Sequence, residues 1–300
     1  MPAPMNDRAR GALLGLAIGD ALGMPIEGLS HPNVRTYYKG IKGFRADEKR
    51  GELEAGQWTA DTQNALALAT ALAEHSAELS LSQVVWRRER SIDLRRPTDR
   101  LFATSAGAAA ATPLGIWWRK TGATSGDALV WTRGLIQDVD ARPDALVAAF
   151  VQADAVRRAL DTTDPEDLDG AAFVRQSAEA ARVAEASIEG ASAAVSARLD
   201  ALAPWLTEFP LDLQDRCDGT GPAADEAFPF ALAMAARGPS LAEASLLAAI
   251  NVGGDANTVG AVAGALLGVI NGASAFPDEW REGVEDGPRI LSIADRLSGV

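Results

Sequence analysis

The chain has 300 residues, 47% of them hydrophobic, with a formal net charge of −13 and a pI near 4.7. An acidic balance of this size leaves no clustered Lys and Arg to neutralise phosphates, which argues against a nucleic-acid or anionic-membrane partner and for a small molecule or a protein. One cysteine, Cys217, excludes an intramolecular disulfide and a multi-Cys zinc site, and two histidines, His31 and His75, argue against a multi-histidine metal centre.

The opening stretch MPAPMNDRAR has no apolar signal-peptide core, and the longest apolar run near the other end, AVAGALLGVI, is far below the roughly 20 residues that span a bilayer. A soluble protein of the reducing cytoplasm is expected. From Asp7 the pattern Ala9, Leu13, Leu16, Ala17, Ala21 keeps the helical period, with Asp7 placed as a cap. Further helices are expected at 60–75, 80–92, 98–111, 123–137, 143–160, 168–200, 222–237 and 240–250, and one more from Asn257 onward. Pro and Gly clusters near 112–115, 142–143, 204–210 and 218–222 punctuate them, and none is long enough to separate domains. Strand signals are nearly absent. The expected fold is all-α, one compact domain over 1–300.

Two of these helices carry glycine at every fourth position, Gly11, Gly15, Gly19 and Gly23 in one and Gly260, Gly264, Gly268 and Gly272 in the other. Each interior helical Gly costs about 1 kcal/mol relative to Ala, so the stripes predict two central helices whose backbones approach closely.

Three segments combine acids, amides and hydroxyls among apolar neighbours: GDALGMPIEG at 19–28, GQWTADTQ at 56–63 and GGDANT at 253–258. Carboxylate, hydroxyl and amide oxygens are the ligands that Mg, Mn and Ca take, and a helix end can hold such a cluster rigidly. The same residues also suit helix capping: Thr59 or Asp61 for the helix that follows, Asp255 for the helix from Asn257, with Glu27 a surface carboxylate. Periodicity does not decide whether the segments meet. Trp58 is placed either to wall a site or to fill the core, and Cys217, with no His nearby in sequence, takes no role.

The order of these segments resembles the ADP-ribosylglycohydrolase family, whose pattern runs GxxxGDxLGxPxE, then GxWTDDT, then GGDxDT before a glycine-spaced helix, then PxxW. Here the matching stretches are GLAIGDALGMPIE at 15–27, GQWTADT at 56–62, GGDANT at 253–258 and FPDEW at 276–280, almost end to end. The resemblance implies an all-α fold of the family type, an orthogonal helix bundle. It implies two Mg or Mn ions, and cleavage of the glycosidic bond that joins ADP-ribose to a side chain. Carried over position by position, it assigns metal ligation to Glu27, Thr59, Asp61, Asp255, Asn257 and Thr258, and catalysis to Glu27 or Asp61.

Three positions depart from the pattern. Ala60 stands for the first Asp of the WTDDT pair, Asn257 for the second Asp of GGDxDT, and Ala110 for an Arg in a stretch resembling GAAMRxxP, here SAGAAAATP at 105–113. Ser105 and Gly107 of that stretch remain candidates to approach a phosphate or ribose, as Trp58 does to wall the ligand; packing alone is the alternative. Losing two carboxylates removes the charge that offsets repulsion between paired cations, so at most one Mg or Mn per chain is expected. The retained donors sort by segment into one cluster of Thr59 and Asp61 and a second of Glu27, Asp255, the Asn257 amide oxygen and Thr258. Two functions follow: a divergent glycohydrolase acting on an ADP-ribosyl or related bond, or a non-catalytic relative that binds ADP-ribose or a nucleotide-like ligand. The expected partner in either case is an ADP-ribose-like molecule or an ADP-ribosylated substrate.

Overall fold

The structure, a computed structural model, describes residues 4–48, 51, 53–74 and 103–299. Within them the regular structure is helical, without strands and with two isolated β-bridges, Ser30 to Gly253 and Thr104 to Ala223. In chain order the helices are α1 (Met5–Gly23), α2 (His31–Tyr38), α3 (Ala60–Glu74), α4 (Ala106–Ala110), α5 (Thr112–Thr121), α6 (Ser125–Ile136), α7 (Pro143–Ala159), α8 (Gly170–Ser187), α9 (Ala194–Leu202), α10 (Pro210–Arg216), α11 (Ala227–Arg237), α12 (Ala242–Ile250), α13 (Ala256–Asn271), α14 (Asp278–Gly283) and α15 (Gly287–Ser298). The expected helix at 80–92 and the first part of that at 98–111 lie outside the described residues.

Several boundaries differ from expectation for local reasons. The Pro113 cluster follows the break between α4 and α5 and lies inside the first turn of α5, because proline there gives up only an N–H that would have no intrahelical partner. That helix stops at Gly122, left-handed at φ 64°, and α6 follows with a capping box between Thr124 and Asp127. The expected single helix at 168–200 is two: α8, capped by Asp169, ends at Ile188, and Gly190 at φ 80° turns the chain into α9. The α1 helix begins at Met5 after Pro4, so Asp7 sits in its first turn and is not its cap.

The glycine stripes pair α1 with α13 in antiparallel fashion, Gly11 against Gly268, Gly15 against Gly264 and Gly19 against Gly260. A Cβ added at Gly11, Gly15 or Gly19 would sit 1.9–2.2 Å from a backbone oxygen of α13, so only hydrogen fits. The ring of Phe276, from FPDEW, closes over Gly15, where an added Cβ would meet it at 2.8 Å. By length and composition Met5–Ile26 would also suffice to cross a membrane, but 94% of its apolar 18-residue window is buried in the core. Around the pair, α15 and α3 pack on α1, α11 and α12 pack on α13, and α7 carries α4, α5 and α8. The antiparallel pairing sets Gly23, at the end of α1, against Ala256, at the start of α13. This juxtaposition brings distant polar segments together.

Candidate functional site

Beyond α1 the chain makes one turn, Met24–Ile26, and reaches the half-buried Glu27. The next residues are fastened to the GGDANT segment: Gly28 N donates to Gly254 O at 2.7 Å and Gly254 N to Leu29 O at 2.8 Å. Gly253 and Gly254 have φ of 88° and 75°, and a Cβ on either would lie 2.2 Å from a carbonyl oxygen, of Leu29 and Thr220 respectively. The double glycine is therefore required by both conformation and space. It places Glu27 and Asp255 on adjoining strands of backbone. Asp255 is buried, its N–H donates to Thr220 O at 2.6 Å, and its side chain makes no cap on α13. The capping alternative for this residue does not hold.

Nor do Thr59 and Asp61 chiefly cap α3. Asp20, fully buried on α1, reaches across and accepts from Thr59 N at 3.0 Å, Thr62 N at 3.1 Å and the Thr62 hydroxyl at 2.7 Å, all on Oδ2. Local capping by Thr59 is limited to a long 3.4 Å contact from Asp61 N to its hydroxyl. Burial raises the Asp20 carboxyl to about 6, against the opposing pull of the bonds from Thr62 and Thr59. An acid from a second helix thus fixes the first turn of α3.

That turn points Asp61 at α13. Asp61 Oδ2 accepts from the Thr258 hydroxyl at 2.8 Å and from Asn257 Nδ2 at 3.4 Å, and the same amide nitrogen lies 3.3 Å from the Thr59 hydroxyl. Thr59, Asp61, Asn257 and Thr258 therefore form one cluster, which corrects the sorting into two groups by segment. An amide oxygen facing the Asp61 carboxylate would set two acceptors together, so the nitrogen belongs on that side. Asn257 Oδ1 consequently points away and is buried without a hydrogen-bond partner. Among the described residues no three His, Cys, Asp or Glu side chains converge on a metal position. A cation held here would draw on mixed oxygen donors: the Glu27 and Asp255 carboxylates, Asn257 Oδ1 and the Thr258 oxygen. The uncommitted Oδ1 fits that use.

The remaining candidates are engaged elsewhere. Trp58 is buried and its indole N–H donates to Glu285 O at 3.0 Å, anchoring the segment that carries Thr59. The Ser105 hydroxyl donates to Ala223 O at 2.9 Å and accepts from Phe228 N at 3.1 Å. Gly107 abuts α6 and α7, where an added Cβ would meet Ile136 at 3.2 Å. Their helix, α4, packs on both α3 and α13, yet neither residue bonds to the Asp61 cluster. Ala60 starts α3 and Ala110 ends α4 without a polar atom to offer.

Two supporting residues escaped the sequence reading. Asp20 lay inside GDALGMPIEG, but that segment gave it no role of its own. Thr220, within DGTG, donates to Gly253 O at 3.0 Å, accepts from Gln214 at 2.9 Å, and its carbonyl holds Asp255 N. Its cue was a turn-rich tetrapeptide indistinguishable from an ordinary loop.

Comparisons with known proteins identify the family and the fold. The whole chain, residues 1–300, matches the family model described as ADP-ribosylglycohydrolase. An uncharacterised protein of Archaeoglobus fulgidus is 30% identical over 98% of this chain and 96% of its own length. A Pseudomonas putida protein named ADP-ribosylarginine hydrolase Tri1 is 28% identical over 99% of this chain and 79% of its own. The ADP-ribosyl-[dinitrogen reductase] glycohydrolase of Rhodospirillum rubrum is 35% identical over 30% of this chain and 32% of its own. A solved structure titled ADP-ribosylglycohydrolase-related protein complex superposes with a TM-score of 0.69 at 24% identity, covering 98% of each chain, which identifies the fold.

Proposed function

The chain belongs to the ADP-ribosylglycohydrolase family, and from that premise we propose that it hydrolyses the glycosidic bond between ADP-ribose and an amino-acid side chain, with one Mg or Mn ion. The observation that carries this reading is the meeting of Thr59, Asp61, Asn257 and Thr258 between α3 and α13, with Glu27 and Asp255 next to the backbone bonds that fasten residues 28–29 to Gly254, and with the Asn257 amide oxygen buried without a partner. Glu27, Asp255, Asn257 Oδ1 and Thr258 would hold the ion. When bound, it supplies positive charge opposite the ribose hydroxyls. With only two carboxylates in the set, affinity for the ion is weak, because ligand charge sets affinity for hard cations.

The side chains divide the remaining work. Asp61 already accepts from Thr258 and Asn257, which fixes its orientation and suits it to positioning. Glu27 is half-buried and follows directly on the turn that leads out of α1, and it acts as general base. It takes a proton from water as the water oxygen bonds to the anomeric carbon, and the bond to the leaving side chain breaks with that group carrying the electron pair and then a proton. Asp20 and Thr220 act behind this layer by holding the α3 turn and the Gly253–Asp255 loop. The protein is read as soluble and cytoplasmic, acting on an ADP-ribosylated substrate.

Relatives named for ADP-ribosylarginine make arginine-linked ADP-ribose the first substrate to test, with serine-linked ADP-ribose beside it. Release of ADP-ribose, followed by mass spectrometry in Mg2+, Mn2+ and chelator, should be cation-dependent. A second reading, binding without catalysis, is favoured by Ala60 and by the amide at Asn257. Binding of ADP-ribose with no release from either substrate would select it. Activity appearing only after Ala60→Asp with Asn257→Asp would identify a decayed site.

A further inference from the structure

We propose that the Asn257 amide nitrogen occupies the place of a cation-ligating oxygen beside Thr59 and Asp61, so that this half of the site is closed by hydrogen bonds and needs no ion. Four observations lead there. Asn257 and Asp61 are both buried, at 3% and 5% exposure, so the carboxylate is matched by protein donors. Asn257 Nδ2 lies 3.4 Å from Asp61 Oδ2 and 3.3 Å from Thr59 Oγ1, and Thr258 Oγ1 is 2.8 Å from the same Asp61 oxygen. These separations bracket the roughly 3.0 Å between adjacent ligands of an octahedral ion with bonds near 2.1 Å. The opposite atom, Asn257 Oδ1, is left without a partner, so one side chain seals one half of the site and leaves an oxygen for the other.

The consequence is that a single exchange of nitrogen for oxygen, Asn257→Asp, should turn the seal into a cation site even though Ala60 contributes nothing. Without an ion, the new carboxylate would face Asp61 at hydrogen-bond distance and repel it. With Mn2+, the three oxygens of Thr59, Asp61 and the new carboxylate would share the ion. The inference rests on the single-ion reading only for the other half, at Glu27 and Asp255.

The test counts bound Mn2+ by electron paramagnetic resonance and follows melting temperature in Mn2+ and in chelator, for the unaltered protein, Asn257→Asp and Asn257→Ala. Expected are at most one Mn2+ per chain in the unaltered protein and one more in Asn257→Asp. The aspartate variant should melt lower in chelator and recover in Mn2+. Asn257→Ala, which removes the amide without adding charge, should melt lower and gain no ion. Two Mn2+ per chain in the unaltered protein would overturn the inference whatever the variants do. So would an aspartate variant that neither gains an ion nor loses stability in chelator. No Mn2+ in the unaltered protein, with the gain intact in Asn257→Asp, would refute the single-ion reading and uphold the seal.

Discussion

Adding one methyl group at Gly19 should damage both the fold and the site. A Cβ there would lie 1.9 Å from Gly260 O, whereas ordinary contact begins near 3.4 Å, so α1 and α13 must part locally by about 1.5 Å. Overpacking of this kind costs ~1–3 kcal/mol or more, against ~1 kcal/mol gained from the better helix propensity of Ala. Gly260 is two residues after Thr258, and Gly19 immediately precedes Asp20. A shift of that size would break the 2.8 Å bond from Thr258 to Asp61 and disturb the Asp20 cap on α3. The internal control is Gly134→Ala in the exposed part of α6, where nothing lies within 4 Å of an added Cβ. Thermal denaturation should show Gly19→Ala melting lower and Gly134→Ala slightly higher, at ~2–4 °C per kcal/mol. Equal shifts of the same sign would refute the claim that backbone contact between the two stripes holds this core together.

Asp20→Ala removes the acceptor for three donors and should cost several kcal/mol, at ~1–3 kcal/mol per buried donor left unpaired, whereas Asp20→Asn keeps an oxygen for them and should cost far less. Chemical denaturation distinguishes the two. Because burial raises Asp20 from 3.8 to about 6, its protonated form is the better tolerated one: its contribution is fully present below pH 3.8 and is lost as pH rises through about 6, on the order of 3 kcal/mol. In Asp20→Asn that part of the pH dependence should vanish. Glu27→Gln should lower kcat roughly 10²–10⁴-fold, as for loss of a general base; an unchanged kcat would remove Glu27 from the reaction. Cys217 is fully buried with its thiol pushed up to about 12 by burial, so native protein should react with thiol reagents only on unfolding.

Those elements that advertised themselves in the sequence did so through spacing or composition. Glycine at every fourth residue is costly enough to demand a reason, and close contact of α1 with α13 supplies it. The three polar segments were visible as clusters, but their meeting depends on the antiparallel pairing that sets Gly23 beside Ala256, which no local pattern encodes. Asp20 was hidden because a buried acid and an exposed one read alike until the donors of a distant helix are in place. The orientation of Asn257 was equally hidden: which atom of the amide faces Asp61 is decided by tertiary neighbours. The break between α8 and α9 was missed because an alanine-rich run keeps its helical pattern across Gly190.

The proposal that Glu27, Asp61 and Asp255–Thr258 form one ADP-ribose site is tested most directly by the melting temperature of the unaltered protein in ADP-ribose, with Mn2+ and with chelator. A ligand present at 100 times its dissociation constant stabilises the folded state by about 2.7 kcal/mol. An upward shift in ADP-ribose, larger with Mn2+ and abolished by Asp255→Ala, is the predicted result. No shift in ADP-ribose under either condition would contradict it.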